Sequence, residues 1–586
     1  MQHKNIYALM DALVITLVSF VIFNLFIGSY NLIAPDEGRY VEIAREMIAS
    51  GNYITPQLNG TTFLDKPILF YWIETIIIKI FGLHEWSVRL LPVTFGAIGC
   101  LLNYWAGLKL FSRRTGLLSA FLLMSTLIYF FSAHYTNMDL MVAVLISGSL
   151  YFAIIGLKGT QTVKQRTLYL WGAYLFAALA FLTKGLIGIV FPILVIGAWV
   201  AIQREWRIIL RLRIITGFII FLALTAPWMI AISYRNPEFL HYFFVVQQFS
   251  RYTSGNFNVH QPFYFYIVVI LLGLIPWVIF LFQSLHYQIK HARQFHDAQH
   301  SSRLYLLLWP LIVLIFFSIP ASKIIGYILP AIPPLILLIA NYLHEHSAHL
   351  VQSKTLKIGT SVFLALSAIV SFTLIIIAYM PNLTDDSAVL WLTIIATIIM
   401  LGGVRTVYCA FYKEHLLPTI ATLCFTVIVA FIICVASVAT FKINTVKPLA
   451  QIINKYQTKN DLIVTYRDYF QDLPAYVRHR VFVVYEWSNV SKHSSDGWRR
   501  ELAEDILFKH YRQHNLITPE QFIDLWKHKN MFVVLKKTKF GRMKSKVTQT
   551  NRSYHIIEES QSHMLVTNFP LKNHKQGLAK TQASIE

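Results

Sequence analysis

Asp36-Glu37-Gly38-Arg39-Tyr40 stands directly after the first long apolar run of this chain. Leu64-Asp65-Lys66-Pro67 stands just before another apolar stretch, and Asp139 opens a later one. Carboxylates and ammonium groups are costly in hydrocarbon, so their collection at the ends of apolar runs points to a site at the lipid–water boundary. A lysine beside the start of a helix suits a phosphate, because unpaired amides and the helix dipole already favour an anion there. A carboxylate nearby can orient an attacking oxygen or stabilise positive charge growing on a reacting carbon.

The elements that must hold these groups are set by composition. The 586 residues are 56% hydrophobic and only 14% charged, with a mean hydropathy of +0.53, which excludes a soluble protein. A hydrocarbon layer of about 30 Å needs roughly 20 apolar helical residues. About thirteen runs meet that requirement, near 7–33, 88–111, 115–133, 139–157, 168–183, 185–202, 214–233, 263–285, 304–319, 326–343, 358–380, 388–407 and 417–441. The first run is too long for a cleaved signal and no small-x-small site follows it. The expected fold is therefore mainly α, a polytopic helical membrane domain over 1–441 with interfacial helices in 34–87.

Lysine and arginine counts orient the chain. With the N-terminus inside, Arg113, Arg114, Lys158, Arg204, Arg207, Arg211, Lys290 and Arg303 fall on inward loops, and the opposite loops are poorer in cations. Asp36, Lys66 and the C-terminal region then face outward. The net charge of +22 suits anionic lipid head groups as partners, and nucleic acid is not expected on that side. Cys100, Cys409, Cys424 and Cys434 lie within or beside spans without a CxxC pair, so disulfide and structural zinc chemistry are not expected.

Between the first two full spans, Tyr40, Ile43, Ala44, Met47 and Ile48 recur at helical spacing with Arg39, Glu42 and Glu46 off that stripe, which predicts an amphipathic helix lying in the interface. Asp36 is its expected N-cap. A second, more apolar helix is expected over 67–82, with Pro67 in its first turn. After residue 441, the runs 462–466, 481–485 and 531–535 read as strands around helical stretches near 469–477 and 519–526, giving a small α/β domain over 442–570. Residues 571–586 are polar and expected to be disordered.

Pro35-Asp36-Glu37-Gly38-Arg39-Tyr40, Ile43-Ala44-Arg45-Glu46-Met47, Pro56-Gln57-Leu58-Asn59-Gly60, Asp65-Lys66-Pro67, Thr136-Asn137-Met138-Asp139, Leu182-Thr183-Lys184-Gly185, Phe249-Ser250-Arg251-Tyr252 and Lys323 through Tyr327-Ile328-Leu329-Pro330 resemble the lipid A aminoarabinose transferases. These sit in the wider class of polyprenyl-phosphate-dependent GT-C membrane glycosyltransferases that includes protein O-mannosyltransferases. The resemblance implies an inverting transferase of the bacterial inner membrane, working as a monomer on the periplasmic side, where the C-terminal domain also lies. It implies undecaprenyl phosphate as donor carrier and lipid A or another glycolipid as acceptor. By the same resemblance, Asp36 and Asp139 are the essential acids, Lys66 and Arg251 hold the donor phosphate, and Tyr327 contacts that phosphate or the sugar. Glu37, Arg39, Tyr40, Asp65, Lys184, His260 and Lys323 are expected substrate contacts. Lys184 and Lys323 also suit lipid head groups, and His134 is an outward-loop histidine near the site.

Two departures bear on a metal. Relatives often carry Glu where Asp65 stands and Glu-His where Gln247-Gln248 stand, and neutral amides are poor zinc ligands. A divalent cation on Asp65 is thus the one cofactor the residues leave open. A transporter would place ionisable groups near the midplane, whereas these collect at span ends. No Asp-x-Asp, Gly-x-Gly-x-x-Gly or P-loop supports a nucleotide-sugar donor. The expected activity moves 4-amino-4-deoxy-L-arabinose, or else galactosamine, mannose or glucose, to lipid A, another glycan or a protein hydroxyl.

Overall fold

The computed structural model describes residues 2–157, 161–250, 260–292, 298–347, 354–380, 386–413, 416–441, 445–487, 497–507 and 515–571. Ten helices among them are long and apolar enough to cross a membrane, and Phe265–Gly273 with Trp277–His291 makes an eleventh if that pair, bent by 106°, is one span. The chain is a multi-pass membrane protein. Among the described residues, not every one of the thirteen expected apolar runs becomes one straight helix of that length. Pro276 lacks the N–H that would continue the ladder between the bent halves. Run 115–133 breaks between Arg113–Met124 and Leu127–Ser132, where Ser125 and Thr126 turn their hydroxyls back to the carbonyls of Phe121 and Leu122 at 2.9 and 2.7 Å. Run 185–202 forms Ile187–Gln203, which is 17 residues long.

The tail folds as a six-stranded sheet. Strands β1 (Gln57–Leu58) and β2 (Thr61–Thr62) form a separate small hairpin. The sheet itself contains β3 (Leu462–Tyr466), β4 (Phe482–Val484), β5 (Leu516–Ile517), β6 (Met531–Lys536), β7 (His555–Glu559) and β8 (His563–Thr567), in the order β5-β4-β3-β6-β8-β7. β3 runs parallel to β4 and β6, and β8 is antiparallel to β6 and β7. The short β5 and the polar β7 lie at the two edges and carry no long apolar run. The tail expectation for 572–586 falls outside the described residues.

The membrane and sheet regions meet on the Asp36–Ser50 helix. Its apolar stripe is present, but the polar face does not lie against water: Glu42 and Glu46 are buried. Arg45 donates to Glu42 and Glu46 at 2.6 and 2.8 Å, and Arg480 of the tail donates to Glu46 at 2.6 Å. The expected interfacial helix is therefore sandwiched between the membrane helices and the tail. Gly38 permits the close approach, since a Cβ there would sit 2.6 Å from the Asp472 amide nitrogen. Asn59, at the tip of the β1–β2 hairpin, donates to the Val481 carbonyl at 2.9 Å and accepts from its amide at 2.8 Å.

Glu37 sits at the centre of the first turn. Arg89 donates to both its oxygens at 2.9 and 2.7 Å, and to the carbonyls of Ile27, Tyr30 and Asn31 at 2.6, 2.9 and 2.9 Å. Glu37 also accepts from the amides of Ile33 and Thr136 at 2.8 and 2.9 Å. Both side chains are fully buried. Breaking such a pair strands a charge, so Arg89→Met is expected to cost about 3–5 kcal/mol. Thermal unfolding of the detergent-solubilised protein measures it, and a melting temperature equal to wild type would refute the assignment.

Asp472 lies under Gly38, 3% exposed, and burial pushes its carboxyl up to about 7. The folded chain then keeps a proton that the unfolded chain releases near pH 4, so stability from this group falls as pH rises from about 4 to about 7 and is flat above. Asp472→Asn is expected to remove that fall. Melting temperatures recorded across the window test it, and an Asn variant with the wild-type slope would contradict it.

Candidate active site

The Asp36–Ser50 helix begins at Asp36, but Pro35 occupies the N-cap position and no side chain caps the turn. The Asp36 carboxylate, expected as a cap, instead points outward from the helix end. It accepts from the Tyr135 hydroxyl at 3.1 Å and the Asn137 amide at 3.5 Å, with Arg39 at 3.7 Å. Asp139 is not a cap either, because Asn137 Oδ1 accepts the Asp139 amide at 2.7 Å. Its carboxylate is ion-paired with Lys184, the last residue of the Val163–Lys184 helix, and the Lys184 ammonium lies 4.4 Å from the centre of the Tyr327 ring.

These groups surround one cavity of about 210 Å³ lined by Asp36, Arg39, Tyr40, Asp65, Lys66, Asn137, Asp139, Lys184, Tyr327 and Glu501, among others. Two further cavities share part of its lining. One of about 270 Å³ shares Lys66, Asp139, Lys184 and Tyr327 and is walled by Phe249, Phe316 and Phe317. Another, of about 500 Å³, shares Asp36 and Asp139 and is walled largely by apolar side chains such as Ile128, Phe131 and Val269. Polar chemistry thus sits at a junction between two apolar chambers. That geometry fits reactants with polar heads on hydrocarbon tails.

Sequence positions far apart therefore converge: Asp36, Arg39, Tyr40, Asp65, Lys66, Asp139, Lys184 and Tyr327 all reach the junction. Others do not. Glu37, expected to touch substrate, is consumed by Arg89. Lys323, 5% exposed, donates to the carbonyls of Gln261 and Pro320, so it ties two loops together. His260 is exposed and bridges Ser322 in the same tie. Arg251 lies outside the described residues. His134 borders the larger chamber with its Nδ1 against the Phe130 carbonyl at 2.9 Å.

Glu501 went unseen in the sequence. It comes from the Trp498–Leu507 helix of the tail, pairs with Arg39 at 3.2 Å and accepts from Gln471 at 2.9 Å. An acid in a polar helix carries no periodic signal that would mark it. For a metal, the fit is poor: no cluster of three His, Cys, Asp or Glu among the described residues is placed to hold one.

The helical membrane domain, the charged junction at its helix ends and the appended mixed sheet together make a GT-C architecture. The sequence pattern of the family described as dolichyl-phosphate-mannose-protein mannosyltransferase matches residues 65–230. An undecaprenyl phosphate-alpha-4-amino-4-deoxy-L-arabinose arabinosyl transferase of Erwinia tasmaniensis is 31% identical over 61% of this chain and 65% of its own length. The enzyme of that name from Shewanella sediminis is 32% identical over 64% of this chain and 66% of its own length. ArnT from Cupriavidus metallidurans bound to undecaprenyl phosphate has the same fold, with a TM-score of 0.82 at 23% identity over 95% of this chain and 98% of that one. The chain is similar to these lipid-linked-sugar transferases over the matched lengths, and it spans 65% and 66% of the length of the two curated ones.

The Lys184–Asp139 pair is nearly buried, at 12% and 8% side-chain exposure. Lys184→Met is expected to lower stability by about 3 kcal/mol by stranding the carboxylate, and adding Asp139→Leu is expected to recover most of that. A double-mutant cycle on thermal unfolding checks this. Additive losses would show that the pair is not coupled.

Proposed function

We propose that the protein transfers an amino sugar, 4-amino-4-deoxy-L-arabinose, from undecaprenyl phosphate to lipid A at the periplasmic face of the inner membrane. The observation that carries the reading is the junction itself: Asp36, Lys66, Asp139, Lys184 and Tyr327 line one cavity between two apolar chambers. The donor's isoprenoid enters the chamber bounded by Phe249, Phe316 and Phe317, with its phosphate on Lys66. The acceptor's acyl region enters the larger chamber, with its reacting oxygen over Asp36. The lysine and arginine bias of the loops supports the outward orientation, the names of the relatives support the donor, and the family resemblance supports the acceptor.

Breaking the sugar–phosphate bond leaves growing negative charge on the carrier phosphate. Lys66 stabilises it, with Arg251 as a second cation by the family resemblance. Tyr327 directs its hydroxyl to the phosphate or sugar. Asp139 holds Lys184 at the junction, and Asp36 faces the sugar from the opposite chamber. In-line attack from that side inverts the anomeric carbon. A phosphate acceptor is already anionic, so Asp36 then serves to orient and to stabilise oxocarbenium charge, whereas a hydroxyl acceptor requires it as general base.

Mass spectrometry of lipid A from isogenic cells expressing wild type, Asp36→Asn or Lys66→Ala tests the proposal. A sugar increment is expected with wild type and a loss of at least about 100-fold in either variant. Identical lipid A masses in all three would overturn lipid A as acceptor. A protein-linked sugar in its place would favour the acceptor class named by the mannosyltransferase family match.

A further inference from the structure

His241–Ser250 is a π-helix of ten residues. Such i→i+5 segments are rare and costly, so a long one asks for a local reason. Tyr242 and Gln247 are five apart. In an α-helix of 3.6 residues per turn they would diverge, whereas the wider turn brings both to Asp65. The Tyr242 hydroxyl donates to Asp65 Oδ1 at 2.7 Å. Gln247 Nε2 donates to the same oxygen at 2.6 Å and to the Tyr242 hydroxyl at 2.6 Å. All three residues are buried, at 6%, 5% and 4% exposure.

We propose that this triad is a metal-free clamp: a phenol and an amide hold the Asp65 carboxylate where the resemblance allows a divalent cation, and they position Lys66 without one. The donor set carries the argument. Zinc is held by thiolate, imidazole and carboxylate, but the Tyr242 hydroxyl and the Gln247 amide N–H, both on Asp65 Oδ1, offer protons to the carboxylate. Asp65 Oδ1 already accepts two hydrogen bonds, and a cation on this carboxylate would have no imidazole, thiolate or second carboxylate from the triad to complete its shell. Lys66 follows Asp65 directly and lines both the junction and the donor chamber, so fixing one carboxylate fixes the neighbouring ammonium. Tyr242 and Gln247 are thereby positioning residues.

The effect on transfer rests on the function proposed above, but the metal content does not, so the two can fail separately. Elemental analysis of the purified full-length protein is expected to find no stoichiometric divalent metal, and titration with zinc no saturable site. Dialysis against EDTA is expected to leave transfer unchanged. Tyr242→Phe removes one donor and is expected to raise the KM for the polyprenyl-phosphate sugar several-fold and to lower kcat, while the melting temperature stays near that of wild type. One tightly bound zinc per chain, activity lost on chelation and restored by zinc, or a Tyr242→Phe variant with wild-type KM would each overturn the clamp.

Discussion

The Glu37–Arg89 pair is the constraint on which the site depends. Moving two ions out of water costs several kcal/mol each, and only complete geometry compensates. Here the five N–H donors of Arg89 go to Glu37 and to the carbonyls of Ile27, Tyr30 and Asn31, and Glu37 takes two amides besides. The partners come from the first loop, the Asp36–Ser50 helix, the start of the Leu90–Leu110 helix and the loop ahead of Met138–Leu157. Asp36 is the residue before Glu37, and Asp139 is three after Thr136. One buried pair therefore sets the separation of the two carboxylates at the junction.

A second layer of charge transmits that order to the tail. Glu42, Arg45, Glu46 and Arg480 form a chain of alternating sign in which both glutamates are buried, and on the same helix Arg39 forms a separate bridge between Asp36 and Glu501. Partly desolvated charges of one sign would repel strongly, but alternation turns the same low dielectric into attraction. The tail is thus more than an appendage, because it closes one wall of the cavity with Glu501 and holds the helix that carries Asp36.

How much of this was readable follows from range. Apolar runs announce membrane helices locally, and β-branched runs such as 462–466 and 531–535 announce strands, so those elements were legible. The charged positions at span ends were legible as a group because hydrocarbon tolerates few such residues. What was hidden depends on contacts between distant positions: Glu37 meets Arg89, Asn59 meets Val481, and Asp65 meets Tyr242 and Gln247 across 177 and 182 residues. No period encodes such meetings. The π-helix was hidden for a further reason, since an apolar stretch reads alike at either helical pitch.

The two carboxylates at the junction differ in how firmly they are held, and this bears on their roles in the proposed transfer. Asp139 is neutralised by a lysine that also sits against an aromatic ring, an arrangement suited to holding position. Asp36 is bound more loosely, by a phenol at 3.1 Å, an amide at 3.5 Å and a guanidinium at 3.7 Å. Arg39 is itself drawn toward Glu501 at the shorter distance of 3.2 Å. A carboxylate with long, exchangeable contacts can trade one for an incoming hydroxyl or for positive charge on a sugar carbon without stranding a buried ion. A carboxylate locked to lysine cannot. In the proposed transfer, that difference suits Asp36 to contact with the reacting atoms and Asp139 to holding the Lys184 cation at the junction.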